Sequence, residues 1–303
     1  MFQHSCNPLP FRGEPERGMM FNYLYTMINL GVYNSLVVLR TAEQGLYLGD
    51  DSGESVLLPN KYIPKGAGIG DTLNVFIYND SEDRIIATTL TPKFTLNKFA
   101  CLEVVTVTDH GAFLDWGLAK DIFVPFREQA KKLETGQHTI AFLYLDTITN
   151  RLAASCKPNK FLNNDSVEVK EKDEVELLIA ERTELGINVI INDRYKGIIY
   201  RNEIFQTLTY GDRMKGYIKK IREDNKIDVS LEKLGYEKVQ GNEEKILEKL
   251  KENKGFLNLN DYSTPEEITA VLEMSKKTFK KAIGSLFKQR KIRIEEKGIY
   301  LNK

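Results

Sequence analysis

Basic residues are concentrated in one short segment near the carboxy terminus of the chain. Residues 275–293 contain eight Lys or Arg residues and no Asp or Glu, although the whole chain carries 43 basic and 43 acidic residues and no net charge. Uncompensated cations in such a segment can bind the phosphates of a nucleic acid, and the alternative is a surface that binds a protein. The candidate phosphate-binding residues are Lys276, Lys277, Lys280, Lys281, Lys288 and Arg290.

A second basic segment, residues 213–219, alternates charged or aromatic residues with apolar residues and glycine. A period of two is typical of a β-strand and places one set of side chains on one face. A solvated strand face and a nucleic-acid track explain this pattern equally well. The acidic residues between 168 and 176 are interpreted as solubilising surface. The candidate track consists of Arg213, Lys215, Tyr217 and Lys219, with Tyr200 and Arg201 as neighbours.

Aromatic residues that could stack on bases occur in residues 111–128. Single-stranded nucleic acid is held by stacking on aromatic faces, at roughly 1–3 kcal/mol per base, and by cations along its backbone. Because alternate residues of a barrel strand point inward, about half of these aromatics must belong to a core. We expect Phe113 to be exposed. The pattern does not decide whether Phe123 lies in the core or on the surface. The cations that follow are Arg127, Lys131 and Lys132.

No arrangement of residues typical of an enzyme is found in the sequence. The three histidines lie in a tail and in turns without metal-ligand spacing, and phosphate-loop and serine-nucleophile motifs are absent. We therefore expect no catalysis, no metal and no cofactor, and a nuclease built from scattered Asp residues is the alternative. Three widely spaced cysteines, and no apolar run of the roughly 20 residues that a membrane span needs, predict a cytoplasmic protein with reduced thiols.

A repeated unit must position these residues. Each unit has room for five short strands, which fit a closed or nearly closed antiparallel barrel because closure removes exposed sheet edges. The units resemble the S1 type of oligonucleotide-binding barrel (OB-fold), the second unit most closely and the first least. Pairs of glycines 25 residues apart mark equivalent points in the three units: Gly45 and Gly70, Gly111 and Gly136, Gly186 and Gly211.

The last part of the chain changes from strand to helical periodicity at Asn242. Thr264, Pro265 and Glu267 form the pattern of a capped helix start, and Ser275 caps the next helix, which carries the basic segment. Three helices followed by a predicted hairpin indicate a winged helix. Its basic helix is the one that enters a groove in DNA-binding proteins, but it is nearly all lysine, so sequence-specific base reading is not expected.

The fold class is therefore expected to be multidomain and mainly β, with three tandem S1-like OB-fold barrels and a carboxy-terminal winged helix. The predicted boundaries are a disordered tail at 1–19, barrels at 20–95, 96–160 and 161–238, and the winged helix at 239–303. The first barrel has five basic and eight acidic residues, which favours a packing or spacer role.

This domain order, together with residues 274–294 and the hairpin at 298–301, resembles the bacterial conserved virulence factor B family. The resemblance implies a cytoplasmic RNA-binding protein without catalytic activity, which affects gene expression after transcription. It also implies that the third barrel and the winged helix contribute to RNA binding. Two features depart from the family pattern: the first barrel lacks cations on its second and third strands, and Asn188 replaces an aromatic residue in the third.

These observations predict a monomeric, non-catalytic protein that binds single-stranded RNA with little sequence preference. Two alternatives from other classes stay open. One is a transcriptional regulator that binds DNA through the winged helix, and the other is a protein scaffold that docks on the ribosome or on RNA polymerase.

Overall fold

The computed structural model describes residues 28–50, 53–233 and 236–302, with side chains from 241 onward in the last range. The predicted disordered tail at 1–19 lies outside these ranges, as does the start of the first predicted barrel. Within them the protein is mainly β, with three five-stranded units followed by a domain of three helices and three short strands. No helix in these ranges is long and apolar enough to span a membrane.

The three β units share one strand order. The first contains β1 (Tyr33–Ala42), β2 (Gly45–Gly49), β3 (Ser55–Pro59), β4 (Thr72–Asn79) and β5 (Ile85–Thr88). The second contains β6 (Phe99–Thr108), β7 (Gly111–Asp115), β8 (Ile122–Pro125), β9 (His138–Asp146) and β10 (Arg151–Ser155). The third contains β11 (Glu174–Arg182), β12 (Gly186–Ile191), β13 (Tyr195–Tyr200), β14 (Arg213–Ile221) and β15 (Ile227–Ser230). The first and third close into barrels, whereas the second stays open between β8 and β10, so the predicted closed or nearly closed barrels are confirmed.

Two glycines in each unit explain the 25-residue repeat. At the first, a Cβ atom would lie 2.0 to 2.3 Å from a carbonyl oxygen of the facing strand, so no larger residue fits; these are Gly45, Gly111 and Gly186. The second has a positive φ of 81° to 92°, which glycine adopts without strain; these are Gly70, Gly136 and Gly211. Each second glycine donates its N–H to the bulged part of the unit's first strand, at Val38, Val104 and Ile179. The 25-residue spacing is therefore the distance along the chain from the close contact at the start of the second strand to the turn that is hydrogen-bonded to the first strand.

The joint between the first and second barrels is aromatic. Trp116 is 2% exposed and packs edge-to-face against Phe76, Tyr78 and Phe94, with ring centroids 5.8 to 6.2 Å apart. Its indole N–H donates to the carbonyl oxygen of Lys120 at 2.5 Å. The single tryptophan of the chain is thus a core residue, and the apolar core of the second barrel extends to Phe76, Tyr78 and Phe94, while the first barrel keeps a separate core of its own.

The joint between the second and third barrels combines apolar and charged contacts. Phe99 and Phe142 of the second barrel pack in one cluster with Leu178 and Ile190 of the third. The buried carboxylate of Asp193 accepts the backbone N–H of Phe99 at 3.1 Å. These contacts place the third barrel directly against the second.

The carboxy-terminal domain is a winged helix, as predicted. It contains α1 (Tyr236–Glu252), β16 (Phe256–Leu257), α2 (Pro265–Leu272), α3 (Lys276–Lys288), β17 (Ile292–Glu295) and β18 (Gly298–Leu301). The hydroxyl of Thr264 accepts the N–H of Glu267 at 3.2 Å, and the Glu267 carboxylate accepts the N–H of Thr264 at 2.8 Å, which confirms the capping box. Helix α1 begins at Tyr236, earlier than the predicted change at Asn242. Strand β16 was not predicted because two residues are too short to show a period.

Candidate nucleic-acid interface

Phe113 and Phe123 lie side by side on the outer surface of the second barrel. They are direct partners on the paired strands β7 and β8, and their ring centroids are 5.1 Å apart at an interplanar angle of 45°. Their strand neighbours, including Leu114 and Val124, are buried in the barrel, so the pleat turns both phenylalanines outward. Both are half-buried and keep part of each ring accessible. Phe123 therefore belongs to the same surface as Phe113, a point that the sequence left open.

A cleft of about 500 Å³ lies beside this aromatic pair, and we call it the aromatic cleft. Its cations are Lys120 and Arg151, and both contact the carboxylate of Asp83 from the β4–β5 turn of the first barrel, at 3.0 and 2.8 Å. Asp121 and Asp146 also line the cleft, and burial together with the Asp115 carboxylate raises the pKa of Asp121. The cleft thus offers aromatic surface with two cations among three carboxylates, which suits bases better than phosphates.

The three cations predicted after the aromatic pair are not brought together in this cleft. Arg127 contacts Asp146 at 3.3 Å and reaches the edge of the cleft through that ion pair. Lys131 and Lys132 are exposed and form no ion pair with any described residue. Lys131 lines a different cavity, between the second and third barrels.

Each cation of the basic strand, residues 213–219, is paired with a carboxylate. Lys215 contacts Glu174 at 2.6 Å, Tyr217 donates its hydroxyl to the same Glu174 at 3.0 Å, and Lys219 contacts Glu203. The hydrogen bond from Lys215 lowers the pKa of Glu174, and Glu174 in turn raises the pKa of Lys215. The partner Glu174 lies on β11, which pairs with β14. The acidic residues interpreted as solubilising surface therefore include partners of the basic strand.

Arg213 lies in the joint between the second and third barrels. Its guanidinium contacts Asp193 at 2.7 Å and Glu176 at 3.2 Å, and it also donates to the carbonyl oxygen of Phe99. Burial is the largest influence and opposes the charge of Arg213, but the hydrogen bonds and negative charges of Asp193 and Glu176 together outweigh it and raise the pKa of Arg213. This geometry assigns Arg213 to the structure of the joint.

Tyr200 and Arg201 lie at the end of β13 and in the turn that follows it. Tyr200 is half-buried and accepts a hydrogen bond from Arg222, whose guanidinium also contacts Asp228 at 3.0 Å. Arg201 is exposed. The position equivalent to Phe113 is occupied by Asn188, which faces Ile198 across the strands, so the third barrel has no aromatic pair at this place.

Helix α3 presents its lysines on the side opposite the winged-helix core. Its buried side consists of Phe279, Ala282, Ile283 and Leu286. At 3.6 residues per turn, Lys277, Lys281 and Lys288 lie on the far side, and we call them the lysine face. Lys277, Lys280, Lys281, Lys288 and Arg290 are exposed, and Lys276 is half-buried.

The charge on α3 is largely unpaired. Among the described residues, the candidate cations of this helix and its exit form one ion pair, from Lys280 to Asp261 at 4.0 Å. The hydroxyl of Ser275 accepts the N–H of Thr278 at 3.0 Å, which confirms the predicted helix cap. The helix therefore presents a compact cationic surface held by a packed domain.

Lys120, Arg151 and Asp83 were missed as candidates by sequence reasoning. Arg151 stands at the start of β10, where residues 151–155 follow the Arg-apolar-x-apolar-Ser pattern of the fifth strand of S1 barrels, so a signal existed. Asp83 carried no signal, because it reaches the cleft from a neighbouring barrel. No group of three or more His, Cys, Asp or Glu residues suited to a metal ion occurs in the described part of the chain.

Models of known families match three parts of the chain. The S1 domain matches residues 30–90 and 98–157, and the CvfB-like winged helix domain matches residues 244–301. The predicted resemblance to the conserved virulence factor B family is thereby confirmed. The S1 and winged helix domains are nucleic-acid-binding domain types rather than enzymatic ones, which supports nucleic-acid binding by this chain.

Relatives of similar length extend the resemblance to the family over most of the chain. Conserved virulence factor B of Staphylococcus aureus strain N315 is 29% identical over 245 residues, which cover 78% of this chain and 81% of that protein. The uncharacterized protein YitL of Bacillus subtilis strain 168 is 28% identical over 268 residues, which cover 85% of this chain and 89% of that protein. A crystal structure from Streptococcus pneumoniae TIGR4 is described as that of a multidomain protein with nucleic acid binding domains. It has 24% sequence identity and a TM-score of 0.41, and the match covers 90% of this chain and 98% of that chain.

Proposed function

We propose that this protein binds single-stranded RNA without catalysis and with little sequence preference. In this proposal Phe113 and Phe123 stack on bases, and the cations of α3 hold phosphates. The observation that carries the proposal is the aromatic pair on the second barrel, because bases paired inside a duplex are not free to stack on a side chain. The lysines of α3 alone would not distinguish a single strand from a duplex, because both carry phosphates.

The cellular role follows from the family resemblance. An effect on gene expression is what the resemblance to the conserved virulence factor B family implies, and we place this effect after transcription because the proposed ligand is RNA. The protein is proposed to act as a monomer in the bacterial cytoplasm. It contacts RNA through cations on phosphates and aromatic rings on bases. Few hydrogen bonds therefore read base edges, which explains the small sequence preference.

Binding of a fluorescently labelled oligo-U strand, followed by anisotropy at about 50 mM salt, tests the proposal, because low salt strengthens contacts between cations and phosphates. We expect the wild-type chain to bind and the variant with Lys276, Lys277, Lys280 and Lys281 all changed to Glu to lose most of its affinity. Undetectable wild-type binding, or equal binding by this variant, would refute the proposal.

A charge-matched pair of variants controls for net charge. Lys277→Glu/Lys281→Glu alters the lysine face, whereas Lys251→Glu/Lys254→Glu alters two exposed lysines in the last turn of α1 and in the turn that follows it, in the same domain. The first double variant should bind RNA more weakly than the second. Equal losses would show that only the net charge of the domain matters.

The winged helix favours a second candidate function, DNA binding, because α3 is the helix that enters a groove in DNA-binding members of this fold. Competition separates the two: unlabelled single-stranded RNA should displace the labelled strand, and a duplex DNA of equal length should not. If duplex DNA is the better competitor, the second candidate replaces the first. A protein partner that stays bound in a pull-down after nuclease treatment would instead favour a scaffold.

A further inference from the structure

Helix α3 carries a half-buried glycine, Gly284, on the side opposite the winged-helix core. A Cβ atom built on Gly284 meets no heavy atom within 4 Å, so the domain itself leaves room for a larger residue. Gly284 has no positive φ that would call for glycine. A glycine inside a helix lowers the stability of the helix relative to alanine. The helix thus bears a destabilising residue that no contact within the domain explains.

Gly284 completes the lysine face. Lys277, Lys281, Gly284 and Lys288 are spaced by four, three and four residues, so they form one line along the helix. At about 1.5 Å per residue this line is roughly 16 Å long. The glycine is therefore a gap in the middle of a row of cations, where the helix backbone can be approached closely.

An exposed aromatic residue stands beside this gap. Phe287 is 55% exposed, and it lies three residues after Gly284 and seven after Lys280, on one flank of the lysine face. An aromatic ring beside unpaired cations is the combination that single-stranded nucleic acid requires, since the ring takes a base and the cations take phosphates.

We propose that an RNA strand crosses α3 at Gly284, with its phosphates on Lys281 and Lys288 and one base on Phe287. This inference rests on the proposed function and deepens it by naming the point of closest approach. The charge complementarity of the lysine face favours an anionic strand as the occupant. The absence of a side chain at position 284 then serves close approach of the RNA backbone, at a cost in helix stability.

Substitution of this glycine separates binding from folding, because the two should change in opposite directions. Gly284→Gln keeps the charge, supplies a better helix former and blocks the gap. We expect it to leave the thermal midpoint unchanged or raised, and to weaken binding of a labelled oligo-U strand about tenfold, which equals about 1.4 kcal/mol. Phe287→Ala should weaken binding with an unchanged salt dependence. The matched control is Gly241→Gln in α1, where a Cβ atom also meets nothing within 4 Å, and its affinity should stay within about twofold of wild type.

The outcomes distinguish this inference from the proposed function. If the lysine-to-glutamate variants lose RNA but Gly284→Gln binds like wild type, the crossing point is wrong and the RNA-binding proposal stands. If the wild-type chain does not bind oligo-U, both are wrong. If circular dichroism shows that Gly284→Gln is unfolded, Gly284→Ala is tested in its place. A raised thermal midpoint of Gly284→Ala without any loss of RNA affinity would overturn the inference.

Discussion

The basic strand of the third barrel and helix α3 are both rich in lysine and arginine, but their charges have different neighbours. On the basic strand, Lys215 and Lys219 contact Glu174 and Glu203, and Arg213 is held by Asp193 in the joint between barrels. On α3, the candidate cations make one long ion pair among the described residues. Cations become available to phosphates when no carboxylate on an adjacent element neutralises them.

The difference arises from topology. Strand β14 pairs with β11, which places Tyr217 opposite Glu174 and Lys215 opposite Glu176. Helix α3 packs through its apolar side, and its other side points away from the rest of the domain. The two segments look alike in sequence and differ in what the fold places beside them.

The largest effect is expected from neutralising the lysine face. Lys277→Gln/Lys281→Gln should weaken oligo-U binding at least about tenfold, on the order of 1.4 kcal/mol, because two unpaired phosphate contacts are lost. The matched variant Lys215→Gln/Lys219→Gln should lose less than about threefold, since these cations already have carboxylate partners. Anisotropy titrations of both variants check this, and equal losses would remove the distinction between the two segments.

The aromatic pair should contribute next. Phe113→Ala should weaken binding by about tenfold, within the roughly 1–3 kcal/mol expected for one stacked base, and without a change in salt dependence. Asn188→Ala, at the equivalent position of the third barrel, should leave affinity unchanged. A loss for Asn188→Ala as large as for Phe113→Ala would mean that the two barrels bind RNA in the same way.

A gain in affinity is expected when the shared carboxylate of the aromatic cleft is removed. Asp83→Asn would release Lys120 and Arg151 from their common partner, and binding should strengthen about threefold. Asn stands at the equivalent turn positions 150 and 225 with a φ of 54° and 58°, close to the 62° of Asp83, so the backbone should accept it. Weaker binding by this variant would show that Asp83 itself contacts the RNA.

The smallest effect on affinity is expected at Arg213, where stability should change instead. Arg213→Met leaves the buried Asp193 carboxylate without its main partner, at a cost of about 2 kcal/mol once the exposed third of the arginine is discounted. Thermal unfolding should show the loss, while the folded variant binds RNA like wild type. An unchanged thermal midpoint together with weaker RNA binding would show that Arg213 belongs to the RNA-binding surface instead.

Much of the architecture was predictable from the sequence because it depends on local patterns. The glycines at 25-residue spacing, the capping box at Thr264 and the alternation in the barrel strands each reflect a turn, a helix end or a pleat that a few neighbouring residues define. The same patterns identified Phe113 and the lysines of α3 as candidates. The structure adds that Phe123 shares the surface of Phe113.

The contacts between elements far apart in the chain were not predictable in the same way. Trp116 is packed by residues of the first barrel, Asp83 reaches the cleft of the second, and Glu174 pairs with Lys215 from 41 residues away. No local pattern contains these pairings, since they depend on how the barrels pack and on which strands are neighbours. The first barrel, predicted as packing or spacer, therefore also contributes a wall of the aromatic cleft.

The salt dependence of RNA binding tests most directly whether unpaired cations on α3, and not the paired ones of the third barrel, hold the phosphates. For a single strand the slope of log affinity against log salt is about −0.7 for each phosphate neutralised. Lys277→Gln/Lys281→Gln should therefore make the slope shallower by about 1.4, and Lys215→Gln/Lys219→Gln should leave it unchanged. The reverse result, a shallower slope for the third-barrel variant and an unchanged slope for the α3 variant, would contradict this account.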